Sequence, residues 1–313
     1  MSNLSLFDPS EVWMEWLRQI EFLNQVDEKY LRSLVGFGYY LGSPIEKDIW
    51  RVNRSQHAKD CDSLVSDYKR IVLDEPELLL SELDPSRGFF SLLSEINGKD
   101  CWINTDVVRM QVDLSNMSRL GLLTAANKVC EIGGGYGQLA VGLLTIRESL
   151  SYTIIDFPQI LGVVERWAAY LKISSPIRYY RDLESYLKYS SSPGLHLLPN
   201  SLMEENSKLE FDLCININSF CEMTKSQIEF YMDSINFRLC YSNNRDRQIN
   251  NTQLDSLSAI FTDYYDIYPN PKSYEDSYFK KAVYALGDLT LIKRIPIDAI
   301  QGIRGGEMPG LEP

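Results

Sequence analysis

The chain has 313 residues, 44% of them hydrophobic and 24% charged, with a formal net charge of -12 and a sequence pI of about 4.8. That size and balance suit a globular protein with a substantial core, and so acidic a chain repels phosphate backbones, so nucleic acid is not an expected partner. No run reaches the roughly 18 apolar residues that span a bilayer, and Met1–Gln25, with Asp8, Glu11 and Glu15 and no apolar core, is not a signal peptide; no membrane is expected, and the expected setting is the cytoplasm.

Residues 1–110 are expected to be a helical N-terminal region. Asp8-Pro9-Ser10 is a helix start, and Val12, Trp13, Trp16, Leu17 and Ile20 follow at helical spacing. Leu31, Leu34 and Val35 form a second stripe, broken by Gly36, Gly38 and Gly42-Ser43-Pro44. Helix is expected again over Cys61–Leu73 and Glu77–Leu83, with a further restart at Asp84-Pro85-Ser86.

From about residue 128 short apolar runs alternate with helical stretches, and a cofactor-binding domain is expected over 111–313. Strands are predicted at Lys128–Ile132, Ser151–Ile155, Ile177–Tyr180, Phe211–Ile217 and Arg238–Tyr241, and helices at Gly137–Ser149, Ile160–Leu171 and Lys225–Ile235. Two last runs, Ala282–Leu286 and Leu289–Lys293, flank Gly287-Asp288, a hairpin signal. The expected fold class is therefore α/β, a doubly wound, mostly parallel seven-stranded sheet closing in a C-terminal antiparallel hairpin. Ser190–Asn206 is polar and turn-rich and reads as an exposed insertion, and the tail after Pro296 as loose. The six cysteines form no C-x-x-C pair; Cys130, Cys214 and Cys240 lie in apolar runs and read as small core hydrophobes, not as disulfides or zinc ligands.

The chemistry centres on Glu131-Ile132-Gly133-Gly134-Gly135-Tyr136-Gly137, where a buried strand runs into glycines and then a helix. Glycine suits a tight turn and a backbone that a ligand must touch, and open α/β sheets bind ligands at the carboxyl ends of strands. Gly135-x-Gly137-x-x-Ala140 formally meets the dinucleotide pattern. Glu131, Gly133, Gly135 and Gly137 instead meet that of S-adenosyl-L-methionine sites, where a carboxylate balances the cofactor's ammonium group; a pyrophosphate would be repelled. Tyr136 lies inside the turn. Asp156, 19 residues after Gly137, ends the next strand. It can accept both hydroxyls of an adenosyl ribose, with Phe157 beside it, or cap the helix that Pro158 opens.

A third strand ends in Asn218-Ser219, polar groups expected to face the reacting centre and the cofactor, followed by Glu222. Glu222 can accept a substrate proton or serve the dipole of the next helix, and Asn218 can close a turn. Asn243-Asn244-Arg245, after another strand, can bind a substrate's hydroxyls or carboxylates or form a polar turn. Of the two histidines, His196 reads as a surface residue, and His57 as a structural residue or a base delivered from an N-terminal lid. Neither belongs to a metal-ligand pattern. Tyr39-Tyr40 and Tyr179-Tyr180 can line a pocket.

In this order and spacing, E-I-G-G-G-Y-G-Q, I-I-D-F-P, I-N-x-x-S-F-x-E-M and S-N-N-R resemble a bacterial family of sugar O-methyltransferases over about residues 100–295. The resemblance implies a class I methyltransferase fold, cofactor contacts at Glu131, Gly133, Gly135 and Asp156, and methyl transfer to a hydroxyl. The first expectation is thus O-methylation of a small polar substrate, with the N-terminal region covering the pocket and mediating homodimerisation. Three others stand beside it: intramolecular cyclisation of the same cofactor with release of methylthioadenosine, a nicotinamide-dependent oxidoreductase, and a non-catalytic binding module.

Overall fold

The computed structural model describes residues 9, 11–37, 39–43, 61–73, 77–86, 91–204, 207–244, 265–269 and 287–293. In chain order they form α1 (Glu11–Leu23), α2 (Glu28–Leu34), the ribbon β1 (Val35–Gly36) and β2 (Tyr39–Tyr40), α3 (Cys61–Ile71), the hairpin β3 (Leu92–Ile96) and β4 (Lys99–Ile103), and α4 (Thr105–Arg119). Then come β5 (Lys128–Ile132), α5 (Gln138–Ile146), β6 (Ser151–Asp156), α6 (Pro158–Leu171), β7 (Ile177–Tyr179), α7 (Leu183–Tyr189) and β8 (Gly194–Pro199). β9 (Leu209–Ile217), α8 (Lys225–Ser234), β10 (Ile235–Asn244), β11 (Tyr265–Pro269) and β12 (Gly287–Lys293) complete the series. Among the described residues no helix is long and apolar enough to cross a membrane.

The chain divides into two compact units. The first comprises Met1–Ser115 and Gly133–Met203. Its three main strands are parallel, in the order β6-β8-β7. β6 and β8 are buried along their whole length, as strands of parallel sheets are when helices cover them. α5 and α6 both pack on β6 and β8. α5 is apolar nearly all round and buried over Gln138–Leu144, while α6 turns Ile160, Leu161, Val163, Val164, Trp167 and Ala168 inward. Pro158 opens α6, where its missing N–H costs nothing, and a left-handed Lys172 ends it. α1 and α2 lie against α6. There Arg166 donates to the carbonyls of Leu23 and Val26 and to Glu28 Oε1 at 3.0 Å, holding the turn between α1 and α2 against α6.

At the centre of this unit sits Arg32 of α2, with 0% of its surface exposed. It donates to both oxygens of Glu82 at 2.7–3.1 Å, to Asp106 Oδ2 at 3.0 Å and to the carbonyl of Val35 at 2.6 Å. Asn104 Nδ2 and the amide of Asp84 complete the shell around Glu82. Burial by itself raises the Glu82 carboxyl, but the guanidinium and these hydrogen bonds outweigh it and hold the group below its ordinary value of 4.5. Burial likewise disfavours the Arg32 charge, yet Tyr136, Glu82 and Asp106 hold it well above its usual range.

Two expectations change in this unit. Residues 77–83 are not helical: Glu82 is committed to Arg32, and Gln111 binds the backbone of Leu80 and Leu78 through its side-chain amide. Asp84–Ser86 forms a turn closed by Ser86 Oγ on Asp84 Oδ1, and the next described element is a strand, not a helix. Nor is the predicted insertion Ser190–Asn206, described over 190–204, an exposed loop. It contains β8, and His196 is fully buried, stacked on Tyr180, with Nδ1 2.7 Å from the Tyr180 hydroxyl and Nε2 2.8 Å from the carbonyl of Ser192.

The second unit comprises Asn116–Ile132 and Glu204–Pro313. Its strands run β11-β12-β10-β9-β5, with β5, β9 and β10 parallel and β12 antiparallel to both neighbours. Asp212 Oδ2 accepts from the amides of Asn127 and Lys128, fixing the entry to β5. Cys130, Cys214 and Cys240 are register partners on adjacent strands, buried and unoxidised. Burial pushes the Cys130 and Cys240 thiols up, in keeping with apolar filling. Thr224 and Gln227 form a capping box on α8, which packs on β10. The antiparallel closure is present with a different partner: Gly287 and Asp288 are not a turn but the first residues of β12, opposite Asn244 and Asn243, and β12 pairs with Tyr265–Pro269. Ala282–Leu286 and the tail after Pro296 lie outside the described residues.

Removing one member of a buried ion cluster strands the others, at a cost of about 3–5 kcal/mol. Arg32→Met is therefore expected to lower urea-unfolding stability by about that amount at neutral pH. Because the folded Glu82 value is depressed, its contribution is complete above 4.5 and is lost as pH falls through the lower folded value. Thermal melts from pH 6 down to about pH 3 should thus show a smaller acid loss in Glu82→Gln than in the parent protein.

Candidate cofactor site

β5 delivers the chain into the glycine turn, and Gly133, Gly135 and Gly137 take φ of +73°, +55° and +82°, a region that side chains with a Cβ enter only under strain. The amide of Gly133 donates to the carbonyl of Ile155 at 2.9 Å, and that of Gly137 to Gly134 at 3.0 Å. Two of these glycines serve different ends. A Cβ on Gly137 would stand 2.7 Å from Val164 Cγ1, so this glycine lets the start of α5 close onto α6. A Cβ on Gly135 would stand 3.3 Å from the Tyr40 hydroxyl, a tight contact and the single one within 4 Å among the described residues. The missing Cβ thus lets the Tyr40 hydroxyl stand directly over the turn. Directly after the turn, the buried Gln138 Oε1 finds no hydrogen-bond partner among the described residues.

Asp156 ends β6 and is 7% exposed. Its Oδ1 accepts from the amide of Phe157 at 2.8 Å. It does not cap α6, whose N-cap is Phe157 with no side-chain bond. The Phe157 ring meets Trp13 of α1 at 5.9 Å. A cleft of about 680 Å³ opens at the carboxyl ends of β7 and β8, lined by Pro158, Gly162, Tyr179, Arg181, Pro199 and Leu202. Pro199 is the register partner of Asp156. Tyr136 turns its side chain away into the core. Its hydroxyl donates to Asp106 Oδ2 at 3.2 Å, its ring stands edge-on to Trp167 at 5.4 Å, and the Arg32 guanidinium lies 5.0 Å from the ring centre. Tyr136 thereby anchors the turn, and only its backbone remains for a ligand.

Within the second unit the polar strand ends converge on Asn216, the asparagine of the I-N-x-x-S-F-x-E-M motif. Its Nδ2 donates to the carbonyl of Ile132 at 2.7 Å, and its Oδ1 accepts from the amide of Phe220 and from Asn244 Nδ2. It ties the end of β5 to the ends of β9 and β10. Glu131 is buried in β5. Asn218 is left-handed, with φ of +55°; its amide donates to the carbonyl of Asn243 at 2.9 Å, while its buried Oδ1 finds no partner among the described residues. Ser219 opens the short 3-10 turn Phe220–Glu222, and Glu222 precedes Thr224, the N-cap of α8, so it stands outside that helix. Asn243 and Asn244 belong to β10, not to a polar turn. Asn244 spends its amide on Asn216 and Ser242 and its oxygen on the amide of Cys221, which leaves it a structural part.

The structure thus groups Gly133, Gly135, Tyr136, Gly137, Asp156 and Phe157 in one unit, and Glu131, Asn218, Ser219, Glu222, Asn243 and Asn244 in the other. His57 and Arg245 lie outside the described residues. Among the described residues no group of three or more His, Cys, Asp or Glu could hold a metal ion. The residues that carry no sign in the sequence are Arg32 and Asp106. Asn216 stands there as the asparagine of I-N-x-x-S-F-x-E-M, without a role, and Tyr40 as one of two tyrosines able to line a pocket.

A parallel strand, a left-handed glycine turn, a helix and an acidic strand end form the arrangement in which α/β proteins seat a nucleoside cofactor. No protein-family model and no curated protein matches the chain. Among solved structures it is similar to the methyltransferase domain of bacterial CtHen1 (16% identity, 57% of this chain and 98% of that one, TM-score 0.36). It is also similar to an O-methyltransferase family protein from Burkholderia thailandensis (11% identity, 59% and 55%, TM-score 0.38), of which it spans little more than half. A third likeness is to the plantazolicin methyltransferase BpumL in complex with SAH (11% identity, 59% and 83%, TM-score 0.37). Scores this low leave the functional assignment to the chain's own residues.

The two glycines are separable by substitution. Gly137→Ala combines left-handed strain with a clash against α6 and should cost about 3 kcal/mol, whereas Gly135→Ala carries mainly the strain, about 1–2 kcal/mol. Thermal melts of the two variants check the order.

Proposed function

We propose that the chain is a class I S-adenosyl-L-methionine-dependent enzyme that methylates a hydroxyl on a small polar molecule, a sugar or a natural-product intermediate. The observation that carries this reading is the turn: three left-handed glycines, hydrogen-bonded through Gly133 to the strand that ends in Asp156. The residues suit a cofactor with a ribose and a cationic amino-acid end. Asp156 is not spent on capping α6, Asn218 Oδ1 is buried without a partner among the described residues, and Glu131 favours an ammonium over a pyrophosphate. The cleft of about 680 Å³ beside Pro158 and Pro199 is of a size that takes a small molecule.

When bound, this cofactor supplies a methyl group made electrophilic by a sulfonium. The chain's own part is to hold and to accept. Gly133 and Gly135 offer backbone, and Asp156 takes the ribose hydroxyls. Phe157 offers a ring face to the base, Glu131 balances the ammonium, and Asn218 and Ser219 contribute polar contacts. Glu222 receives the proton that the acceptor hydroxyl gives up, with His57 the other candidate for that role. Asn243 and Arg245 are the groups proposed for the acceptor, and positioning supplies most of the acceleration.

Mass spectrometry of the protein incubated with S-adenosyl-L-methionine tests the reading. The cofactor is expected to stay intact alone and to yield S-adenosylhomocysteine and a product heavier by one methyl when a sugar or metabolite extract is added. Methylthioadenosine formed without an acceptor would replace methyl transfer by cyclisation of the cofactor. Asp156→Ala should weaken S-adenosylhomocysteine binding by about 1–3 kcal/mol in calorimetry, the cost of leaving polar groups unpaired.

A further inference from the structure

We infer that Tyr40, from the N-terminal ribbon, is a cofactor-contact residue whose hydroxyl completes the site over Gly135. The inference rests on the cofactor reading above. Gly135 is left-handed, and among the described residues the one atom within 4 Å of its vacant Cβ position is the Tyr40 hydroxyl, at a tight 3.3 Å. A ligand that lies on the backbone of this turn therefore meets that phenol, which can donate to or accept from the ligand's polar groups.

The phenol is placed there by several independent contacts. Tyr40 pairs with Val35 in the β1–β2 ribbon, and Trp16 of α1 stands edge-on to its ring at 6.1 Å. Val35 in turn is held through its carbonyl by Arg32, and the amide of Phe37 donates to Asp106 Oδ2 at 3.2 Å, the oxygen that also accepts from Tyr136 in the glycine turn. The ribbon and the turn thus share one carboxylate, which fixes the approach of Tyr40 to Gly135. A second contact from the N-terminal elements is that of Trp13 of α1 with Phe157, next to Asp156. These elements thus touch both the glycine turn and the residue after Asp156, and aromatic faces suit a sulfonium cation.

Isothermal titration calorimetry of the full chain with S-adenosylhomocysteine, run well below the melting temperatures, tests this. Tyr40→Phe keeps the ring against Trp16 and removes only the hydroxyl. It is expected to raise Kd about 5- to 10-fold at a temperature where melts show the variant folded, while Tyr170→Phe on the exposed side of α6 leaves Kd unchanged. Parental binding with an equal Kd for Tyr40→Phe would overturn the role of Tyr40 and leave the cofactor reading standing. No binding by the parent protein would overturn both.

Discussion

The glycine turn keeps its shape because a buried guanidinium stands behind it. Arg32 joins α2 to Glu82, to Asp106 on α4 and to the carbonyl of Val35, and its plane lies beside the Tyr136 ring inside the turn. A buried ion cluster is a poor source of net stability, since desolvation offsets most of the attraction. What this one supplies is position: every partner is already paired, so a shift of any element leaves a charge unpaired in the core. The ribbon that bears Tyr40 and the turn that bears Gly135 are set by the same carboxylate.

The second unit solves a similar problem with amides. Asn216 holds the ends of three parallel strands through bonds to Ile132, Phe220 and Asn244. This leaves Asn218, one of the last residues before the 3-10 turn, in a left-handed conformation with a buried oxygen and no partner among the described residues. Such an oxygen is costly unless a ligand satisfies it, whereas Asn244, equally polar in sequence, is consumed by the scaffold. Two amides of one composition therefore differ in their bonding, and only their hydrogen bonds tell them apart.

Local signals were legible and long-range ones were not. The run from Lys128 through Asp156 could be read because glycine spacing, apolar continuity and Pro158 are local features with local causes. Residues 77–83 carry leucines at helix-compatible spacing, but Glu82 answers to Arg32, 50 residues away. β8 is hidden by Ser-Ser-Pro-Gly punctuation before it and by His196 within it, a polar residue that is buried because Tyr180 and Ser192 satisfy both its ring nitrogens. Gly287-Asp288 has the composition of a turn, yet it pairs with the end of β10 as strand. Tyr40 lies 95 residues from Gly135 in the chain, so no sequence window contains both.

The most direct test of the account is a crystal structure of the full chain with S-adenosylhomocysteine. The account predicts the ligand lying on Gly133–Gly137 with its ribose hydroxyls on the Asp156 carboxylate and the Tyr40 hydroxyl within hydrogen-bond reach. Density for the ligand elsewhere, with the glycine turn and Asp156 left to solvent, would contradict it.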